Sequence, residues 1–201
     1  MSDFVMPLID GLLPHLFYLA IFVVVYIETA LIVAFFIPGD TLLFTAGLVV
    51  ATSTNLNIWL ACTVIALAAF LGDQTAYQIG RKYGTTFFAR RASLAGLLVK
   101  GEAFYEKYGF SAIMLSRFYP WFRTLIPFLA GASKMNYLRF VLTNALSSAA
   151  WGFGITWLGY GANSIPALKD GSRYIAGIFV LITIVFTISN YLRAKKASQL
   201  A

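Results

Sequence analysis

Charge is scarce in this sequence, and so are the residue types on which most enzyme chemistry depends. Charged residues occupy 11% of the 201 positions, where a soluble domain carries about a quarter. Hydrophobic residues fill 60%, and the mean hydropathy is +0.78. That is more apolar surface than one soluble core of this length can bury, so lipid is the solvent for much of the chain. Cys62 is the only cysteine, which excludes an intrachain disulfide and leaves the redox compartment unmarked. His15 is the only histidine, too few for a phosphatase that uses one histidine as nucleophile and a second as acid. It lies near the end of an apolar stretch and reads as an interface residue. G-x-S-x-G and H-E-x-x-H patterns are absent as well. No enzyme activity, metal or cofactor is expected. The opening stretch MSDFVMPLIDGLLPHLF carries acidic residues where a signal peptide carries basic ones, and it predicts no cleavable signal.

What charge there is has a pattern. The net charge of +7 could suggest nucleic acid, but the basic residues fall in short gaps between apolar stretches rather than along one face. No nucleic-acid partner is expected; a positive-inside bias accounts for the excess. No basic residue precedes Arg81, and the stretch from Arg81 to Lys107 holds six: Arg81, Lys82, Arg90, Arg91, Lys100 and Lys107. The tail adds Arg193, Lys195 and Lys196. Both regions are expected in the cytoplasm and the uncharged 52–57 turn outside. Lys169 and Arg173 fall on the outer side, against the trend.

A spanning helix needs about 20 mostly apolar residues. Residues 14–36, 58–80, 138–160 and 174–192 meet that requirement. Two further apolar stretches, 38–52 and 110–132, are short or broken by proline and glycine and read as re-entrant segments. The expected fold is an all-α polytopic membrane protein of about four transmembrane helices plus two oppositely oriented re-entrant hairpins. The first span should run outward and the second return, with both chain ends cytoplasmic. The chain is read as one membrane domain, 1–201, with a core at 28–161. A cytoplasmic amphipathic connection is expected at 85–108, where Phe87, Phe88, Leu94, Leu97, Leu98, Phe104 and Tyr105 alternate with charges, and a basic tail at 193–201.

The two broken stretches resemble each other. Asp40-Thr41-Leu42-Leu43-Phe44-Thr45-Ala46-Gly47 lies against Arg123-Thr124-Leu125-Ile126-Pro127-Phe128-Leu129-Ala130-Gly131, with one extra residue in the second. Broken hydrophobic segments at matching places in two halves point to a transporter's binding site. The charges that open the two matches are opposite in sign.

Five charged residues fall inside apolar stretches: Glu28, Asp40, Asp73, Arg117 and Arg123. A charge at the bilayer centre costs roughly 3 kcal/mol on insertion scales, so these need partners or a wet cavity. Pro38 and Gly39 break the chain just before Asp40, and Pro120 and Pro127 flank Arg123, so all four support the site. Arginine presents a fork of donors suited to phosphate, which makes Arg117 and Arg123 candidates for an anionic headgroup. Glu28 and Asp40 are candidates for proton exchange or gating. Asp73 reads as a member of the supporting network. Trp151, Gly152, Gly154, Trp157, Gly159 and Gly161 read as packing and interface residues.

Taken together, these motifs resemble the DedA family, also called the SNARE-associated Golgi protein or VTT domain. The resemblance rests on Glu28 with Phe36-Ile37-Pro38-Gly39-Asp40, on G-D-x-x-x-Y-x-x-G-R-x-x-G from Gly72 to Gly84, and on R-F-x-P-x-x-R-T-x-x-P-x-x-A-G from Arg117 to Gly131. Tyr119-Pro120-Trp121-Phe122 is bulkier than the family's frequent pattern after that proline. The resemblance implies two inverted re-entrant hairpins meeting at the midplane of a bacterial inner membrane. It also implies lipid movement: undecaprenyl phosphate in some members, phosphatidylethanolamine in others, with proton-dependent tolerance phenotypes besides. Glu28, Asp40, Arg117 and Arg123 match positions essential in that family. The expected partners are therefore membrane lipids, a polyprenyl phosphate or a phospholipid, and protons. The oligomeric state is left open, a homo-oligomer included. A scramblase and a purely structural or assembly role are the competing expectations.

Overall fold

The computed structural model describes residues 2–31, 39–89, 117 and 120–164. Five helices carry the described residues: α1 (Ser2–Ala30), α2 (Gly39–Thr52), α3 (Ile58–Ala89), α4 (Pro120–Ala132) and α5 (Tyr137–Ala162), with no strand among them. The expected span at 174–192, the basic tail at 193–201, and residues 90–108 of the amphipathic connection lie outside the described residues. Residues 85–89 continue α3, nine residues past the expected end at Gly80.

Two stretches are long and apolar enough to cross a membrane, Leu13–Ala30 and Ile58–Gly84. At 26 residues, α5 is about 39 Å long, also sufficient for a 30 Å hydrocarbon layer. At 14 and 13 residues, α2 and α4 reach only about 20 Å each. Large apolar side chains face outward: Leu138, Leu142 and Leu146 recur every four residues on α5, each more than half exposed, while Glu28, Asp73 and Asn144 are buried. Greasy outside and charged inside is the pattern of a protein dissolved in lipid.

Side-chain caps set the helix starts. Asn57 accepts from the backbone N–H of Trp59 (2.8 Å) and Leu60 (3.2 Å) at the head of α3, and Asn136 accepts from Arg139 N–H (3.2 Å) at the head of α5. Pro120 opens α4, where its missing N–H would be unpaired in any case. A Schellman turn closes α4: Met135 N–H donates to the Ala130 carbonyl and Lys134 N–H to that of Gly131, both at 3.0 Å, with Lys134 at φ 55°. That conformation suits glycine, so Lys134→Gly is expected to stabilise the protein by up to about 1 kcal/mol, read as a higher melting temperature in detergent.

Lipid is as apolar as leucine, so helices in it associate through close packing of small residues. Here one close approach is made twice. A Cβ added to Gly47 of α2 would strike the Thr156 carbonyl of α5, and one added to Gly159 the Phe44 carbonyl of α2. Correspondingly, a Cβ on Gly131 of α4 would strike the Tyr77 carbonyl of α3, and one on Gly80 the Phe128 carbonyl of α4. Gly47 and Gly131, like Phe44 and Phe128, are equivalent positions of the two matched sequences. Each short helix thus docks on the long helix of the other half. Gly131→Val is expected to cost at least 1–3 kcal/mol through backbone displacement, and Gly47→Val about as much. Yield and melting temperature after solubilisation check both.

α2 and α4 run in opposite directions from a shared start, where Arg123 of α4 meets Asp40 of α2. From there α2 proceeds along α5 to Asn163, whose side-chain amide approaches the Ala51 carbonyl, and α4 proceeds along α3 until Ala132 meets Gly84. α3 and α5 are antiparallel: Trp59 packs on Trp157 (5.3 Å) at one end, and Tyr77 stacks on Phe140 (4.6 Å) toward the other.

The direction of α1 corrects an expectation. The Asn57 backbone N–H donates to the Tyr18 hydroxyl (2.7 Å), and Gly72 packs against Thr29, so α1 descends alongside α3 in the same direction. Its helix ends at Ala30, not Phe36, and α2 runs back toward Asn57. α1 and α2 are therefore two arms that converge on the charged site, not an outward span followed by a separate re-entrant segment. The cause is electrostatic: Glu28 near the end of α1 and Asp40 at the start of α2 both reach Arg123. The connection at 32–38, which contains Pro38, lies outside the described residues.

Candidate functional site

The five intramembrane charges gather into one cluster where α2 and α4 begin. Arg123 pairs with Glu28 through Nη2 and Oε1, and its Nη1 donates to Asp40 Oδ1 at 3.1 Å. Arg117 pairs with Asp73 through Nη2 and Oδ2. Glu28, Asp73, Arg117 and Arg123 are at most 4% exposed, whereas the Asp40 side chain is 45% exposed. Asp40 is therefore the member of the cluster open to the surroundings.

Several local features hold the carboxylates. The Glu28 carboxylate lies directly against Gly39, the first residue of α2, where any side chain would collide with it. A carboxylate over a helix N-terminus is favoured by the backbone dipoles that converge there. Pro127, inside α4, cannot supply the donor that the Arg123 carbonyl would otherwise receive one turn later.

Arg117 is caged by a polar row on α5. Its Nε donates to Ser147 Oγ (2.9 Å), and its Nη2 donates to Asn144 Oδ1 (2.8 Å) and Ser148 Oγ (2.6 Å). Asn144 is oriented in turn by donating from Nδ2 to the Phe70 carbonyl (3.2 Å). Thr143, Asn144, Ser147 and Ser148 are all at most 2% exposed. Sequence reasoning passed over this row, although polar residues three and four apart in an apolar helix are its readable signal.

Trp151 packs in the core, among Val25, Leu43 and Ile65, and also belongs to the site. It is 3% exposed, its indole N–H donates to Asp40 Oδ1 at 2.7 Å, and its ring lies 4.8 Å from the Arg123 guanidinium and 5.6 Å from that of Arg117. The ring attracts both cations, while its indole N–H fixes the third carboxylate. Asp73, expected in the supporting network, is paired there with Arg117, as Glu28 is with Arg123. Trp157 forms an aromatic cluster with Trp59 and Tyr160 at the Asn57 end.

The cluster is not closed on itself. Glu28 Oε2, Asp73 Oδ1, Arg117 Nη1 and Arg123 Nε are buried without a partner among the described residues. Carboxylates outnumber guanidinium groups by three to two. Free lone pairs and free donors side by side can take up protons, water or a group that is itself acceptor and anion.

The VTT domain matches residues 37–161, which include four of the five charges. The chain is 34% identical to Protein DedA of Escherichia coli K12 over 188 residues, covering 92% of this chain and 86% of that protein. It is 36% identical over 183 residues to an uncharacterized membrane protein of Mycobacterium tuberculosis, covering 89% and 80% of the two chains. To the inner membrane protein YqjA of Escherichia coli K12 it is 29% identical over 174 residues, or 85% and 79%. No solved structure matches. Matched across more than half its length by the domain and across nine-tenths by DedA, this chain is a membrane protein of the DedA family, built on a VTT domain.

Proposed function

We propose that the protein moves a lipid with an anionic phosphate headgroup, undecaprenyl phosphate or a relative of it, across the bacterial inner membrane in exchange with protons. The observation that carries this reading is the arrangement around Arg123. A guanidinium at the meeting point of two short helices is held by one buried and one half-exposed carboxylate, and it keeps a free donor. Phosphate competes for the same fork of donors that the carboxylates occupy. A carboxylate that takes up a proton releases its arginine, and the phosphate replaces it, so proton and anion load together. The N-termini of α2 and α4 add their dipoles in favour of the anion. Arg123 makes the first contact; Arg117, caged but for Nη1, makes the second. The residues act as a carrier, and no bond of the lipid is cleaved. Such activity maintains the composition of the membrane, the broader role in which it belongs.

In this reading α1–α2 is a re-entrant hairpin entered from the Asn57 face and α4 the returning arm of a second one entered from the opposite face, with α3 and α5 as full spans. With Arg81 and Lys82 on the cytoplasmic side, as the positive-inside rule favours, the Leu13 end of α1 lies outside together with Asn57 in this reading. The experiment is reconstitution into liposomes, with flipping of undecaprenyl phosphate followed with and without an imposed pH gradient. Flipping that responds to the gradient supports the reading; flipping indifferent to it sinks the coupling.

A second reading has its own observation. With one carboxylate in excess, the site complements a headgroup that carries both a phosphate and an ammonium. Phosphatidylethanolamine scrambling would then need no gradient and would tolerate a change of lipid tail.

A further inference from the structure

The outward row of α3 changes character halfway along. Leu60, Leu67 and Leu71 are 43–51% exposed, as befits a face in lipid. The same face then continues through Thr75, Gln78 and Lys82, with Gln74 beside it; Gln78 and Lys82 are exposed. Gln74, Gln78 and Lys82 are spaced by four residues and so form one stripe about 12 Å long. Uncompensated polar groups on a lipid-facing helix are costly. A cavity of about 530 Å³ lies over this stripe, within the range of small-molecule sites.

Its walls distinguish among occupants. Both polar atoms of the Gln74 amide are buried without a partner among the described residues, and Gln74 lines the cavity. The Tyr26 hydroxyl and Thr75 Oγ1, hydrogen-bonded at 3.0 Å, tie α1 to α3 along one side. Leu71 and Ile79 make apolar ground beside the amides. The Lys82 ammonium sits over the Tyr83 ring at 5.2 Å, and no acidic residue among the described residues lines the cavity. A cation at one end, amide donors along the length and apolar flanks complement a phosphate attached to a hydrocarbon chain.

The geometry points to this groove as a lipid-phosphate binding site on the membrane-facing flank of α3, in which the headgroup is held between Lys82 and Gln74 and the chain remains in the bilayer. It deepens the transport reading, on which its role as an entry path rests: Gln74 adjoins Asp73 in the chain, so the inner end of the groove is level with the buried cluster. As a binding site it stands on its own residues.

The test uses the full chain in nanodiscs, where both faces are accessible. On a Cys62→Ala background, Gln78→Cys and, as a lipid-facing control, Leu67→Cys are treated with a membrane-impermeant methanethiosulfonate. Gln78→Cys should react at least tenfold faster than Leu67→Cys. Dioleoyl phosphatidic acid should slow it several-fold, while diacylglycerol with the same chains and inorganic phosphate should not. Ile79→Cys, at a position that lines the groove without a binding role, provides a second reporter with the same expectations, and Lys82→Gln added to Gln78→Cys should abolish the protection by phosphatidic acid. Equal rates at positions 67 and 78, or equal protection by diacylglycerol or by inorganic phosphate, would overturn the assignment. Protection without flipping by the wild-type protein would remove the transport reading and leave the site; flipping without protection would remove the site and leave transport.

Discussion

Arg123→Gln is expected to remove lipid flipping almost entirely and to lower the yield of folded protein. The two effects have different origins and can be separated. The substitution leaves Glu28, which is fully buried, and Asp40 without their cation. Breaking a buried pair from one side costs about 3–5 kcal/mol, because the remaining charge stays desolvated. The double variant Glu28→Gln/Arg123→Gln removes both charges with side chains of similar size and should recover most of that stability. It should not recover transport. Two charge-assisted hydrogen bonds to a phosphate, at about 1.5 kcal/mol each, correspond to a loss of about 100-fold. Arg123→Lys keeps the charge but not the fork and should fall between. Melting temperature and flipping rate, measured on the same preparations, decide the matter. A double variant that flips lipid at the wild-type rate would reduce this ion pair to a fastener between helices.

Trp151→Leu is expected to disable the site nearly as thoroughly, although it removes no charge. It deletes an aromatic ring that lies near both arginines and one donor to Asp40. Trp151→Phe separates these contributions. It retains an aromatic face for the cations and gives up the indole N–H, so it should fold with a melting temperature close to that of wild type. With Asp40 no longer anchored, flipping should fall about tenfold, the size expected for one hydrogen bond to a charged group. The check is a double-mutant cycle: on an Asp40→Asn background the Trp151→Phe change should have little further effect, because its partner is already altered. An undiminished effect on that background would show that the ring acts on Asp40 through no direct contact.

Much of the site was legible before any coordinates. Charges inside apolar stretches stand out because lipid penalises them, and every one of Glu28, Asp40, Asp73, Arg117 and Arg123 lies in the cluster. The proline and glycine breaks marked where short helices begin, since they remove a donor or relax the backbone wherever they occur. Asp40 and Arg123, opposite in sign at equivalent positions, meet where the two halves touch. The close approaches of Gly47 with Gly159 and of Gly80 with Gly131 give that match a packing reason.

What the sequence could not decide was partnership and direction. Asp73 was expected in the supporting network, but the sequence did not name its partner; only the register of α3 brings it to Arg117. Trp151 has the composition of an interface residue, and whether an indole faces lipid or two guanidinium groups depends on helix rotation, which no local pattern fixes. The direction of α1 was misjudged for the same reason. Eighteen apolar residues satisfy the length of a crossing whichever way they run. The sequence by itself therefore determined which residues must be compensated inside the membrane, because that cost is a property of each side chain. Only the tertiary structure decided which residues compensate them, because one guanidinium reaches carboxylates from α1 and α2 at once, and that depends on where separate helices meet.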